Sequence, residues 1–180
     1  MRQGQLIAVV GPSGVGKDSV MAGLIAVRPD IRLVRRAITR APGLGGEDYD
    51  AVTPEEFEDA ALAGAFCVHW DAHGLRYGIP ADALRDVEAG IDCLANFSRS
   101  ALARADAVFP RMIVLNITAS PETLARRLQG RGRETAAEIA ARLAQAEKPL
   151  PEGLRAVTLA NDGSLAETVA RALGVLQPVR

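Results

Sequence analysis

Lysine is scarce in this chain: of its 21 basic residues, only Lys17 and Lys148 are lysines and the other 19 are arginines. Net charge is scarce too. At −1, with a pI near 6.1, the chain is no generic binder of nucleic acid or membrane surfaces, so an anion site has to come from local placement of cations. No apolar run approaches the roughly 20 residues that cross a bilayer, and Met1–Gln5 is too short and polar for a leader, so no membrane partner and a cytoplasmic location are expected. Cys67 and Cys93 stand apart in apolar stretches without CxxC spacing, which argues for buried thiols rather than a disulfide or metal framework. Internal repeats and low-complexity tails are also missing. What remains is 180 residues, 48% hydrophobic and 24% charged, a composition suited to one globular domain.

The most informative stretch is Leu6–Ser19. Leu6–Val10 is an apolar, β-branched run that reads as a buried strand, and it enters a glycine-rich turn that opens a helix. Gly11, Pro12, Ser13, Gly14, Val15, Gly16 and Lys17 complete the spacing G-x-x-x-x-G-K. Glycines at these positions let successive N–H groups turn inward on a polyphosphate. The helix start adds its positive end, and a lysine reaches the outer phosphates. In a chain that otherwise uses arginine, Lys17 stands out as a compact point charge. The next position, where Ser or Thr usually meets Mg²⁺, is Asp18, with Ser19 one place later. A nucleotide's polyphosphate is the expected guest.

Beyond the loop, apolar spacing predicts a helix over 18–27, ended by Pro29, and a strand over Ile31–Ile38. Residues 39–49 are loop, 54–64 a short helix, and 65–71 with 75–79 a β-hairpin around Ala72-His73-Gly74. A helix from Pro80, a strand over 91–97, a helix over 98–105 and a core strand over 112–117 come next. A helix begins at Ser120 and continues through Leu128; Gln129–Arg133 is read as a mobile loop and 134–147 as a helix. The last elements are a strand at 156–160 and a helix at 164–176. Strands and helices in this alternation imply an α/β fold, a P-loop NTPase with a parallel sheet of about five strands flanked by helices. The stretch 39–90 breaks the rhythm and reads as an insertion.

Five ordered blocks carry a resemblance: Gly11–Lys17, Thr39-Arg40, Asp48-Tyr49, His73–Gly78, and Arg127–Thr135 with Arg142-Leu143 downstream. Together they resemble the guanylate kinase family over nearly the whole chain. The resemblance implies one kinase domain with a core at 1–38, 91–128 and 148–180, an acceptor-binding insertion at 39–90, and an arginine-bearing lid at 129–147. It further implies that Arg40 and Tyr49 grip an acceptor phosphate, that Tyr77 supports it, and that Arg131 and Arg142 join Lys17 in stabilising the transferring group, whose negative charge spreads over its oxygens. Arg142 also fits an exposed helical pair, while Arg126, Arg127 and Arg155 read as solvated surface charges.

Where the family reads guanine, this chain has Val68 or His69, Ile79 and Ser98, and Gly43 replaces a second phosphate-gripping arginine. A site that keeps its phosphate grips and loses its base readers should not select guanine. The blocks Gly16–Ser19, Gly45–Asp48 and His73–Pro80 are more similar to the ribose 1,5-bisphosphate phosphokinases of the same superfamily, linked to phosphonate breakdown. That resemblance implies ATP with Mg²⁺ as donor and a sugar phosphate substrate; a phosphate acceptor is already largely ionised near neutral pH, so His69 and His73 are not needed as bases. The alternatives are a nucleoside monophosphate kinase and a non-catalytic interaction module. The strand ending at Asn96 lacks a metal-side acid, and Asp18 is the residue placed to hold Mg²⁺ in its stead. Asn161, in Asn-Asp-Gly after the last strand, is either a donor-base contact or part of a turn.

Overall fold

The computed structural model describes residues 2–12, 14–130, 135–146 and 149–176, with only the backbone described for 142–146. In chain order the elements are β1 (Leu6–Val10), α1 (Lys17–Val27), β2 (Arg32–Leu33), β3 (Ala37–Ile38), β4 (Asp50–Ala51), α2 (Pro54–Leu62), β5 (Phe66–Ala72), β6 (Leu75–Pro80) and α3 (Ala81–Glu88). They continue as β7 (Cys93–Asn96), a 3₁₀ turn (Arg99–Ala101), α4 (Leu102–Val108), β8 (Met112–Thr118), α5 (Pro121–Gly130), α6 (Ala136–Ala146), β9 (Ala156–Ala160) and α7 (Leu165–Leu176).

Five strands form one sheet in the order β2-β7-β1-β8-β9, every pairing parallel, with Leu6 opposite both Cys93 and Met112. Parallel strands covered on both faces become continuous apolar runs, and β1 accordingly alternates between two cores. Leu6, Ala8 and Val10 pack with the hairpin residues Val68, Trp70, Tyr77 and Ile79 and with α3 and α4. Ile7 and Val9 pack with α1, α5 and α7 through Val20, Leu24, Leu124, Val169 and Ala172. The expected α/β fold with a five-stranded parallel sheet flanked by helices is borne out. Connections leave β1 toward one edge and β8 toward the other, which opens a crevice at the carboxyl ends of these strands.

A second sheet, β4-β3-β6-β5, lies over the first face. Its hairpin turns at His73 and Gly74, both with positive φ (54° and 73°), the pair that matches the twist of the flanking strands. The helix α2 starts in a capping box: Glu56 N–H donates to Thr53 Oγ1 (3.1 Å) and Thr53 N–H to Glu56 Oε2 (3.2 Å).

Two expectations differ from the structure. The stretch Ile31–Ile38 is not one strand: Arg32–Leu33 pairs with β7 in the parallel sheet, whereas Ala37–Ile38 pairs with β4 and β6 in the other. The crossing is pinned by charge, because Arg35 donates to Asp50 Oδ1 (2.8 Å) and pairs with Asp48, and Arg36 pairs with Glu47. Apolar alternation marks a strand and is silent about which sheet it joins. Likewise α5 runs through Gln129 to Gly130, where the sequence predicts the start of a loop, and the rest of that stretch, 131–133, lies outside the described residues.

Candidate active site

The turn between β1 and α1 has the shape of an anion cradle. Gly16 takes φ 94° and Gly14 φ 83°, which side chains with a Cβ rarely adopt. A Cβ on Gly11 would lie 2.5 Å from the Ile117 carbonyl oxygen, and one on Gly16 would lie 2.8 Å from Asn161 Nδ2. No side chain caps α1, so the N–H groups of its first turn are left to a ligand. This donor set fits a polyphosphate.

Lys17 Nζ donates to the Gly11 carbonyl at 2.7 Å, folded back on its own loop. Burial, followed by the nearby Arg36 and Arg99, lowers its pKa to about 8, against the opposing pull of Asp18 and Glu47. Asp18 is exposed at the head of α1, and its Oδ2 lies 3.0 Å from where a Cβ of Gly46 would stand, so it faces the 39–50 loop. Among the described residues no three His, Cys, Asp or Glu side chains cluster as a metal cage. A single carboxylate fits magnesium, which keeps waters and substrate phosphates as its other ligands.

The far side of the loop is held by two residues distant in sequence. Arg127, in the last turn of α5, donates from Nη1 to the Val15 carbonyl (3.1 Å) and from Nη2 to the Asn161 carbonyl (2.8 Å). The Asn161 side chain donates to the same Val15 oxygen (2.8 Å) and accepts from Thr168 Oγ1 (2.7 Å). Arg127 is therefore no solvated surface charge, whereas Arg126 and Arg155 are exposed. The Asn161 amide is committed to the protein on both atoms. Beside it, Gly14, Gly16, Ser19 and Arg127 border a cavity of about 390 Å³, and Arg127 also borders a second of about 340 Å³ with Thr123 and Asp162.

Across the cleft, Arg40 lies 4.4 Å over the Tyr49 ring, whose hydroxyl donates to the Ala41 carbonyl. Arg40 Nε is buried with no hydrogen-bond partner among the described residues. Tyr77 belongs to a stack: Phe97 on Trp70 (5.1 Å), Trp70 on Tyr77 (5.5 Å), and Arg36 over Tyr77 (4.7 Å). All four are buried, and Trp70 Nε1 donates to Ser98 Oγ at 2.9 Å. His69 is exposed on β5, Val68 and Ile79 are core residues, and Gly43 meets open space. Burial raises the Cys67 and Cys93 thiols to about 11, which leaves neither as a nucleophile.

Lys17 and Asp18 are thus brought near Arg36, Glu47 and the loop at Gly46, and Ser19 and Asn161 border the cavity on the other flank of the phosphate loop. Ser13 and Arg131 lie outside the described residues, and Arg142 is described by its backbone alone. Sequence reading missed Arg36, Arg99 and Arg127. Arg36 carries one sequence signal, the adjacent Arg35-Arg36 pair in an otherwise apolar strand, and Arg127 another, its place at the head of the Arg127–Thr135 block.

A parallel sheet whose first strand opens into this glycine cradle defines the phosphate-loop class of nucleotide-binding α/β proteins. The guanylate kinase family profile matches residues 3–171, and the chain belongs to the guanylate kinase family. It is 51% identical over 179 residues to a ribose 1,5-bisphosphate phosphokinase of Ruegeria sp., covering 99% of this chain and 94% of that one. It is 44% identical to the protein of that name from Agrobacterium fabrum, covering 96% of each. A guanylate kinase structure from Anaplasma phagocytophilum superposes with a TM-score of 0.70 at 21% identity, covering 97% of this chain and 84% of that one, a likeness of fold.

Proposed function

We propose that this chain transfers the γ-phosphoryl group of ATP to the 1-phosphate of ribose 1,5-bisphosphate, forming 5-phosphoribosyl 1-diphosphate and ADP, as a cytoplasmic step of phosphonate breakdown. The observation that carries the reading is the closed ring stack. Phe97, Trp70 and Tyr77 are buried, and Arg36 covers the outer tyrosine, so no ring face is open to a nucleobase. Phosphate grips remain beside it in Arg40 and Tyr49. The names carried by relatives at 44–51% identity support the same acceptor. No helix among the described residues is long and apolar enough to cross a membrane.

An oxygen of the 1-phosphate attacks the γ-phosphorus, the bond from phosphorus to the bridging oxygen breaks, and ADP leaves. The attacking oxygen is ionised, so no side chain has to remove a proton. The work left to the protein is alignment and charge. Lys17 swings from the Gly11 carbonyl to the outer phosphates of the donor, Arg40 and Tyr49 hold the acceptor phosphate with Tyr77 behind it, and Arg131 and Arg142 enter from the lid. The loop Gly11–Gly16 and Ser19 cradle the donor, with Asn161 behind the loop. Asp18 would hold magnesium, which when bound supplies neutralising charge to the donor phosphates.

The test is to incubate the protein with ATP, Mg²⁺ and either ribose 1,5-bisphosphate or GMP, assaying phosphoribosyl diphosphate and GDP. Turnover of the sugar bisphosphate is expected; turnover of GMP alone overturns the proposal, and turnover of neither favours an interaction module. For Asp18→Asn, a Mg²⁺ titration should show a higher metal requirement. An unchanged titration removes Asp18 from the metal site.

A further inference from the structure

Two arginines flank β3, and each lies over a tyrosine: Arg40 over Tyr49 at 4.4 Å and Arg36 over Tyr77 at 4.7 Å. The two pairs are alike in build, a guanidinium laid on a tyrosine ring at either end of β3. The transfer reaction gives the Arg40 pair a task and leaves Arg36 without one.

Arg36 is also costly to keep. Its residue exposure is 6%, and a buried guanidinium is tolerated only with good partners. An apolar side chain would cover Tyr77 without that desolvation. Glu47 grips Arg36 by a fork, from Nε to Oε1 at 2.7 Å and from Nη2 to Oε2 at 2.5 Å, so Nη1 is the terminal nitrogen the pair leaves over. Arg36 is also close enough to the phosphate loop to act on it: Lys17 senses Arg36 as a neighbouring cation and Glu47 as an anion beside it.

We infer that Arg36 is the ligand of a second phosphate at the far end of the acceptor, so that the site selects a bisphosphorylated sugar over a monophosphorylated one. The inference rests on the sugar-phosphate reading above and supplies its missing part, the group that recognises the 5-phosphate. Nη1 donates to that phosphate. Glu47 is a positioning residue that fixes the plane of the fork, and Tyr77 backs the cation with its ring face, a contact that strengthens when water is excluded.

The neighbouring stack provides the readout. Trp70 is the only tryptophan of the chain, its ring centroid is 5.9 Å from the Arg36 guanidinium carbon, and it stacks on Tyr77. The experiment compares wild type, the charge-balanced Arg36→Gln/Glu47→Gln variant and Arg36→Lys. Two quantities are measured: the ratio of kcat/KM for ribose 1,5-bisphosphate to that for ribose 1-phosphate, and the Trp70 fluorescence change on titrating ribose 5-phosphate. In the double variant the ratio should fall about 10- to 100-fold, the worth of a charge-assisted contact, and the fluorescence response should be lost. Arg36→Lys should retain part of both, and it replaces the double variant in the comparison if that protein lacks a cooperative thermal transition. An unchanged ratio and titration in a folded variant overturn the inference and leave the transfer reaction standing. No turnover of either sugar by wild type overturns the reaction instead, and the ribose 5-phosphate titration then decides Arg36 alone: binding lost in the variants supports a phosphate site, and equal binding refutes it.

Discussion

Lys17 carries a charge that the protein makes expensive. Burial and the cations around it bring its pKa from 10.5 to about 8 in the unliganded protein, and an ammonium is needed to meet phosphate. As pH rises through about 8 the free protein loses that ammonium, so kcat/KM for ATP should fall along a single ionisation near pH 8. The effect on folding has the opposite sign. With a folded pKa below the unfolded value, the chain binds fewer protons at Lys17 when folded, so this residue adds stability as pH climbs from about 8 to 10.5. Denaturant titrations across that window in wild type and Lys17→Met should separate the two trends. Gly16 gives a second residue-level prediction. At φ 94°, with Asn161 Nδ2 2.8 Å from an added Cβ, Gly16→Ala should cost about 1–3 kcal/mol in thermal melts, from left-handed strain plus displacement of the amide, and should weaken ATP binding.

At the scale of elements, the phosphate loop is held by α5 and by the turn from β9 into α7. Asn161→Ala removes the bond to Val15 and the partner of Thr168, so it should raise KM for ATP several-fold with little change in KM for the acceptor, at about 1–3 kcal/mol of stability. If both constants move equally, the clamp serves the whole site. If Arg131 acts on the transferring charge as proposed, Arg131→Ala should lower kcat far more than ATP affinity. Much of this scaffold was legible beforehand. Leu6–Val10 and Ala156–Ala160 announce themselves as strands, and the hairpin follows from the turn chemistry at His73-Gly74, because local pattern and fold agree there. Arg36 and Arg127 were not legible. Their partners lie 11, 34 and 112 positions away, and no periodicity within a window reports a contact made across the chain. The division of 31–38 between two sheets escaped for the same reason, since pairing partners are chosen by tertiary packing.

For the molecule as a whole, the decisive fact is that the second sheet shares a core with the first. Leu6, Ala8 and Val10 on β1 belong to the same cluster as Trp70 and Tyr77 on the hairpin. The hairpin side, which the proposed function assigns to the acceptor, is therefore built on the central strand of the parallel sheet. Urea unfolding followed by Trp70 fluorescence, which reports the hairpin, and by far-UV circular dichroism, which reports all elements, should give coincident transitions. A hairpin that melts first would show that the shared cluster contributes little to the cooperativity of the fold.

The clamp on Val15 also has a consequence for the order in which the molecule comes into being. The loop leaves the ribosome well before its holders: the amide that grips its carbonyl arrives 146 positions later, and the arginine 112 positions later. A growing chain thus carries its nucleotide cradle unclamped until those residues emerge, waiting on non-local contacts that fold slowly. Nascent chains stopped before Asn161 should fail to be retained on immobilised ATP, and release of β9 and α7 should switch that retention on.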